Sequence, residues 1–198
     1  MFVRNERFQD YVKLYPVITT IAAIHTVLFA IGSIPFFPRQ WLFHTLAGVN
    51  IYIDQGEYWR LVTPIFIHMD FSHYIFNTIS LLLFGPPLEQ MLGKRLFIAL
   101  YLVCGISANL FTFLLLPLTY IHVGSSGAIF GLFGFYSAMV AARKITARQS
   151  VQLILPLVII ALFMTFIQPG VNVVGHIFGL LTGLVIGLLS MKKLHSFK

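Results

Sequence analysis

Two residues in this sequence carry the means for nucleophilic chemistry: Ser126, within Gly124-Ser125-Ser126-Gly127, and His176, which follows Gly175. A serine hydroxyl attacks poorly until a neighbouring base takes its proton, and imidazole is the commonest base. Ser126 ends a polar loop and opens an apolar run. That places it at a helix start, where backbone N–H groups lack intrahelical partners and the helix dipole is positive, a suitable seat for an oxyanion. His73 and Asn77 are four residues apart, so they share a helix face, and both donate hydrogen bonds from their side chains. Each residue also has a plainer reading. Ser126 is a good helix cap, His176 a core histidine, and His73 with Asn77 a hydrogen-bonded tie between helices. Ser125 stands beside Ser126, and the local residues alone do not choose between the two hydroxyls.

The elements that must position these residues belong to a membrane protein. Hydrophobic residues make up 58% of the 198 and charged residues only 10%, against about 25% charged in an ordinary soluble chain. A soluble domain of this length cannot hide so much apolar surface, so the solvent is a bilayer. Six apolar stretches are predicted to span, near 16–36, 71–91, 96–116, 125–142, 150–168 and 171–190. The chain is read as one all-α domain covering 1–198. Gly85, Pro86 and Pro87 make the second stretch the weakest helix, with a bend expected there and neighbouring helices expected to satisfy the backbone groups it frees. The first outer connection is long and carries Trp41, Tyr52, Tyr58 and Trp59 among polar residues, as suits segments lying in the interface.

Orientation follows from the basic residues. With the N-terminus in the cytoplasm, Arg4, Arg7, Lys13, Lys94, Arg95, Arg143, Lys144, Arg148, Lys192, Lys193 and Lys198 fall inside, and only Arg39 and Arg60 fall outside. The positive-inside rule places both termini in the cytoplasm. The net charge of +7 is therefore topological, and nucleic acid is not an expected partner; anionic lipid headgroups are. In this topology the second, fourth and sixth stretches all run inward from the outer side. His73 with Asn77, Ser126 and His176 then share one depth in the outer part of the membrane. Polar groups in a bilayer are costly and face a bundle interior or a water-filled cavity, so a shared depth points to a site. Gly127, Gly131, Gly134 and Ala138 give the fourth stretch a small-residue face, and Gly175, Gly179, Gly183 and Gly187 give the sixth another. Such faces let membrane helices approach closely, which would bring Ser126 to His176.

These motifs resemble the rhomboid family of intramembrane serine proteases. Gly124-Ser125-Ser126-Gly127 is similar to its G-x-S-G nucleophile motif, and Gly175-His176 with Gly179 to the motif on its last core helix. His68, His73 and Asn77 follow its H-x4-H-x3-N pattern. Trp59-Arg60 matches a first-loop pair, and Glu89 with Gly93 resembles the end of its second helix. The resemblance favours Ser126 over Ser125. It implies a six-helix bundle and a Ser126–His176 dyad without an acidic third member. It further implies an oxyanion site from His73, Asn77 and the Ser126 N–H, and cleavage of substrate transmembrane segments near their outer ends. Phe130 stands where many members carry Tyr, so a hydroxyl contact is lost beside His176. Gly124, Gly127 and His68 are supporting residues, His68 being equally readable as structural. Trp59, Arg60, Glu89, Gly179 and Gly183 are structural.

Two other protease chemistries fit poorly. No H-E-x-x-H zinc motif is present, and Asp10, Asp54 and Asp70 lie outside or at the edge of the spans, so no membrane carboxylate pair exists to share a proton. No metal or cofactor is expected. A transporter or channel using the same polar cluster is the alternative from another class, disfavoured by the lack of internal repeats and membrane carboxylates. A catalytically inactive rhomboid relative that binds membrane proteins is the third, disfavoured because the serine and histidine are both present. An integral protein of a bacterial plasma membrane, with its site opening outward, is the expected setting.

Overall fold

The computed structural model describes residues 5–34, 39–142, 144 and 148–195. Arg4, Arg143, Lys198 and the last two residues of the first expected span lie outside them, as do the side chains of Arg148, Lys192 and Lys193. The helices are α1 (Phe8–Leu14), α2 (Pro16–Ser33), α3 (Arg39–Leu46), α4 (Asn50–Asp54), α5 (Phe71–Leu92), α6 (Lys94–Leu115), α7 (Ser126–Ala141), α8 (Arg148–Ile167) and α9 (Val173–His195). Short 3-10 turns at Tyr58–Leu61 and Thr63–Phe66 complete the first connection. Helices thus occupy all six apolar stretches. Three segments are long and apolar enough to cross a membrane by length and composition: Pro16–Ser33, Lys94–Leu115 and Val173–Met191. Ser126–Ala141 and Ile154–Ile167 are shorter apolar helices. α5 falls outside both groups because His73, Asn77, Glu89 and Gln90 dilute its apolar character.

α7 is the centre of the bundle and is buried along most of its length. α9 and α6 pack on it and on each other, α5 crosses beside it, and α2 lies against α5. α8 is at the edge, touching α7 and α9. The helix assignment of α5 continues through Pro86 and Pro87. Pro86 cannot donate to the Leu82 carbonyl four residues earlier, and the Tyr11 hydroxyl of α1 donates to that carbonyl instead, at 3.2 Å. The Tyr136 hydroxyl donates to the Phe84 carbonyl at 2.7 Å. A neighbouring helix therefore satisfies the group that the proline frees, as the sequence requires in a bilayer.

Glu89 is 3% exposed, at the opposite end of α5 from His73. Its two carboxylate oxygens accept from Val17 N–H at 3.0 Å and Ile18 N–H at 3.1 Å, closing the first turn of α2. Gly93, at φ +76°, then reverses the chain into α6.

The first connection is anchored by side chains reaching to carbonyls. Arg60 is buried; it donates to the Ala47 carbonyl at 2.7 Å and to Glu57 at 2.6 Å, with its guanidinium over the Tyr52 ring. Trp59, half exposed, donates to the Thr45 carbonyl at 3.4 Å. Asn50 donates toward the carbonyls of Thr112, Leu116 and Pro117 at the end of α6. The all-α architecture carries one small strand pair in its connections: β1 (Gly48–Val49) pairs antiparallel with β2 (Ile121–His122). A Cβ at Gly48 would run into the His122 ring. Desolvation in this buried corner pushes His122 down to about 4, so it is neutral there.

Glu89→Ala removes the acceptor of two N–H groups, one buried and one part-buried, and should cost about 1–3 kcal/mol, read as an earlier unfolding midpoint of the detergent-solubilised protein. An unchanged midpoint would show that α2 is held by other contacts.

Candidate active site

The site begins with the entry to α7. Gly124, at φ +110°, turns the chain in a conformation L side chains rarely adopt, and its N–H donates to the Pro64 carbonyl at 2.8 Å. A Cβ there would strike the His73 imidazole, so the bare backbone lets that ring lie against the loop. Ser125 follows, wholly buried, with its hydroxyl 3.4 Å from His68 Nε2. Ser126 opens α7 and is partly exposed. The Ser125 carbonyl accepts from Ile129 N–H, so the N–H groups of Ser126, Gly127 and Ala128 precede the first intrahelical donor of α7.

α5 supplies the second wall. Asp70 caps it, accepting from His73 N–H at 2.9 Å and from the Ser72 hydroxyl at 2.5 Å. Those two donors, the Ser72 hydroxyl foremost, hold the Asp70 carboxyl below its usual range. Asn77, 6% exposed, donates one amide proton to the His73 carbonyl at 2.8 Å and keeps a second. The His68 ring meets His73 edge to face at 5.2 Å and His25 of α2 at 4.7 Å. Burial, followed by the proximity of His25 and His73, pushes His68 well below the ordinary imidazole value, so it is neutral. Among the described residues, no cluster of His, Cys, Asp or Glu is arranged to hold a metal.

α9 forms the third wall, and glycine sets its distance. A Cβ on Gly179 would run into the Gly127 carbonyl, one on Gly183 into the Gly131 carbonyl, and one on Gly134 into the Leu180 carbonyl. The helices run parallel with Gly127 beside Gly179, which sets Ser126 and His176 within one turn of the same contact. Phe130, one turn past Ser126 on α7, stacks on the His176 ring at 4.1 Å and 17°. That stack places the imidazole alongside the α7 face bearing Ser126. α6 braces α9 through the Phe111–Phe178 stack at 3.8 Å and the Ser107–Thr182 hydroxyl pair at 2.7 Å.

His68, His73, Asn77, Gly124, Ser126, Gly127, Phe130, His176 and Gly179 therefore gather at one end of the bundle. Gly183 lies a turn deeper, Glu89 is at the far end of α5, and Trp59 with Arg60 stay in the first connection. A cavity of about 200 Å³ between the end of α2, α3 and residues 67–71 has His68 in its wall, but neither Ser126 nor His176.

Two residues not read from the sequence also belong here. Asn172 accepts from Gly175 N–H at 2.9 Å and donates to the Thr112 hydroxyl at 2.8 Å, capping α9 and tying it to α6. An Asn just ahead of an apolar run is a recognisable cap signal. Thr165 of α8, 3% exposed, lies 2.9 Å from His176 Nδ1. A lone threonine in an apolar stretch carries no comparable signal.

Residues 55–193 match the family model for the Rhomboid domain. The chain is 42% identical over 194 residues to the putative rhomboid protease YdcA of Bacillus subtilis (strain 168), covering 98% of each chain. It is 39% identical over 139 residues to the rhomboid protease GluP of the same organism, covering 69% of this chain but 27% of that protein. It is 31% identical over 169 residues to rhomboid-like protease 1 of Toxoplasma gondii, covering 82% and 58%.

Gly179→Val should destabilise the bundle by about 1–3 kcal/mol or more, since its side chain would need the space of the Gly127 carbonyl; a wild-type thermal midpoint would contradict the close contact. Asp70→Ala should lose about 1 kcal/mol of capping, and Asp70→Asn little. Because the folded carboxyl has the lower proton affinity, the advantage over Asp70→Ala should be complete above the ordinary carboxylate range and vanish as pH falls through the lowered value. Stability curves for the three proteins against pH test this.

Proposed function

This chain belongs to the rhomboid family, and from that premise we propose that it is an intramembrane serine endopeptidase with Ser126 as nucleophile and His176 as general base. The observation that carries the reading is the Phe130–His176 stack beside the Gly127–Gly179 contact. It sets an imidazole next to the first turn of α7, where the partly exposed Ser126 and backbone N–H groups without intrahelical partners coincide. Ser125 is the poorer nucleophile because it is fully buried and faces His68.

In the proposed reaction a bilayer-borne substrate segment presents a peptide carbonyl at this end of the bundle. Ser126 Oγ attacks the carbonyl carbon as its proton passes to His176, and the carbonyl electron pair moves onto oxygen. The Ser126 N–H, His73 and the free amide proton of Asn77 hold that oxyanion. His176 returns the proton to the leaving amine as the C–N bond breaks. Water then attacks the acyl-enzyme, giving its proton to His176, and the Ser126 oxygen leaves with a proton restored. α2, α5, α6, α7, α8 and α9 are the proposed six spans of a single domain. Both termini lie in the cytoplasm, the site opens to the outer side of a bacterial plasma membrane, and the substrates are transmembrane segments of other proteins.

Fluorophosphonate labelling of the full, detergent-solubilised chain is the test. Ser126→Ala and His176→Ala should lower labelling by on the order of a thousandfold or more, while Ser125→Ala retains it. His73→Ala and Asn77→Ala should each slow it by about 10²–10³. Label that persists in Ser126→Ala and disappears in Ser125→Ala would move the nucleophile by one residue; label indifferent to all five would remove the enzymatic reading.

A further inference from the structure

A Ser–His pair works only if the imidazole nitrogen facing the serine carries a lone pair, and a neutral imidazole has one protonated nitrogen and one bare. In a Ser-His-Asp triad a carboxylate selects the tautomer. Among the described residues, no carboxylate is paired with His176: Phe130 offers its ring only a face, Thr165 a hydroxyl, and His73 lies near enough to act on it through charge.

Thr165 has one hydroxyl proton and two neighbours that compete for it. The Ala161 carbonyl is 2.8 Å from Thr165 Oγ1, and His176 Nδ1 is 2.9 Å away. If the hydroxyl proton points at Nδ1, only that hydrogen bond forms, and the carbonyl gains nothing from the threonine. If the proton points at Ala161, the oxygen lone pairs are free to accept from Nδ1–H, and both bonds form. In a site where Thr165 is 3% exposed, water cannot replace the forfeited bond. The arrangement with two bonds prevails. It puts the imidazole proton on Nδ1 and leaves Nε2 bare.

We propose that Thr165 is the positioning residue of the dyad, a neutral third member on α8 that accepts from His176 Nδ1–H and so holds Nε2 as the proton acceptor for Ser126. It acts through His176 and touches no substrate. The proton balance is closed: Nδ1 keeps its proton throughout, and only Nε2 gains and returns one. The same bond ties α8 to α9, so the edge helix of the bundle reaches His176 through this side chain.

The inference rests on the Ser126–His176 reading, and the experiment separates the two. Fluorophosphonate labelling rates are measured against pH for the full wild-type chain and for Thr165→Val, Thr165→Ser, and Ser126→Ala. Valine matches threonine in shape but offers no acceptor, whereas serine retains one. Thr165→Val should label about tenfold more slowly with the acid limb of its pH profile displaced, and Thr165→Ser should restore both rate and profile. Thr165→Val labelling at the wild-type rate with an unmoved profile would overturn the proposal while leaving the dyad standing. So would a loss in Thr165→Val that is equal at every pH and not rescued by serine, since that is merely structural. Undiminished labelling of Ser126→Ala would instead defeat the reading beneath it.

Discussion

Two helix backbones in direct contact govern the arrangement of everything else. In a bilayer, apolar side chains gain little by leaving lipid for one another, so helices associate by close van der Waals packing and hydrogen bonds. α7 and α9 meet where Gly127 faces Gly179 and Gly131 faces Gly183, and a single added carbon at either position on α9 would collide with a carbonyl of α7. With no side chains between them, the helices have little freedom to slide or roll. Ser126 and His176 are each within a turn of that contact, so their relation is set by backbone rather than by flexible side chains. α6 completes a three-helix wedge, holding α9 from behind through Phe178, Thr182 and Asn172.

Around this wedge the polar groups are ordered by satisfaction of hydrogen bonds. Asp70 closes the start of α5 and orients His73, whose ring rests on the bare backbone of Gly124. Ser125 occupies itself with His68, leaving Ser126 the partly exposed hydroxyl of the two. Adjacent serines thus take different environments because α7 begins between them. The imidazoles of His25, His68 and His73 crowd edge to face. Such crowding is tolerable only while His68 is uncharged, as its burial dictates.

The sequence disclosed the helical stretches, the glycine faces and most residues of the site because each carries a strong local signature. Glycine at a spacing of four can mean close packing, and a polar residue in an apolar run needs a reason to be there. The short strand pair was not legible: Gly48–Val49 and Ile121–His122 are two-residue elements formed by a tertiary meeting of loops. Thr165 was invisible for a related reason. Its significance comes from α8 lying beside α9, and nothing in its own neighbourhood marks it apart from any threonine back-bonded to its helix. For α5 the need for donors from neighbouring helices at Pro86 and Pro87 was legible, but not that the Tyr11 hydroxyl supplies one, because that depends on a tertiary contact 71 residues apart in the chain.

The cap that Glu89 places on α2 bears on where the folding unit begins. The match to the Rhomboid domain starts at residue 55, after α2 has ended, which invites treating the first helix as an appendage. Yet Glu89, within the matched segment, has both carboxylate oxygens committed to the Val17 and Ile18 amides of α2. Shorn of that helix, α5 would leave the buried Glu89 oxygens without these two donors at the end farthest from His73. The contacts of the matched segment thus reach past its own start to α2, through one acidic side chain.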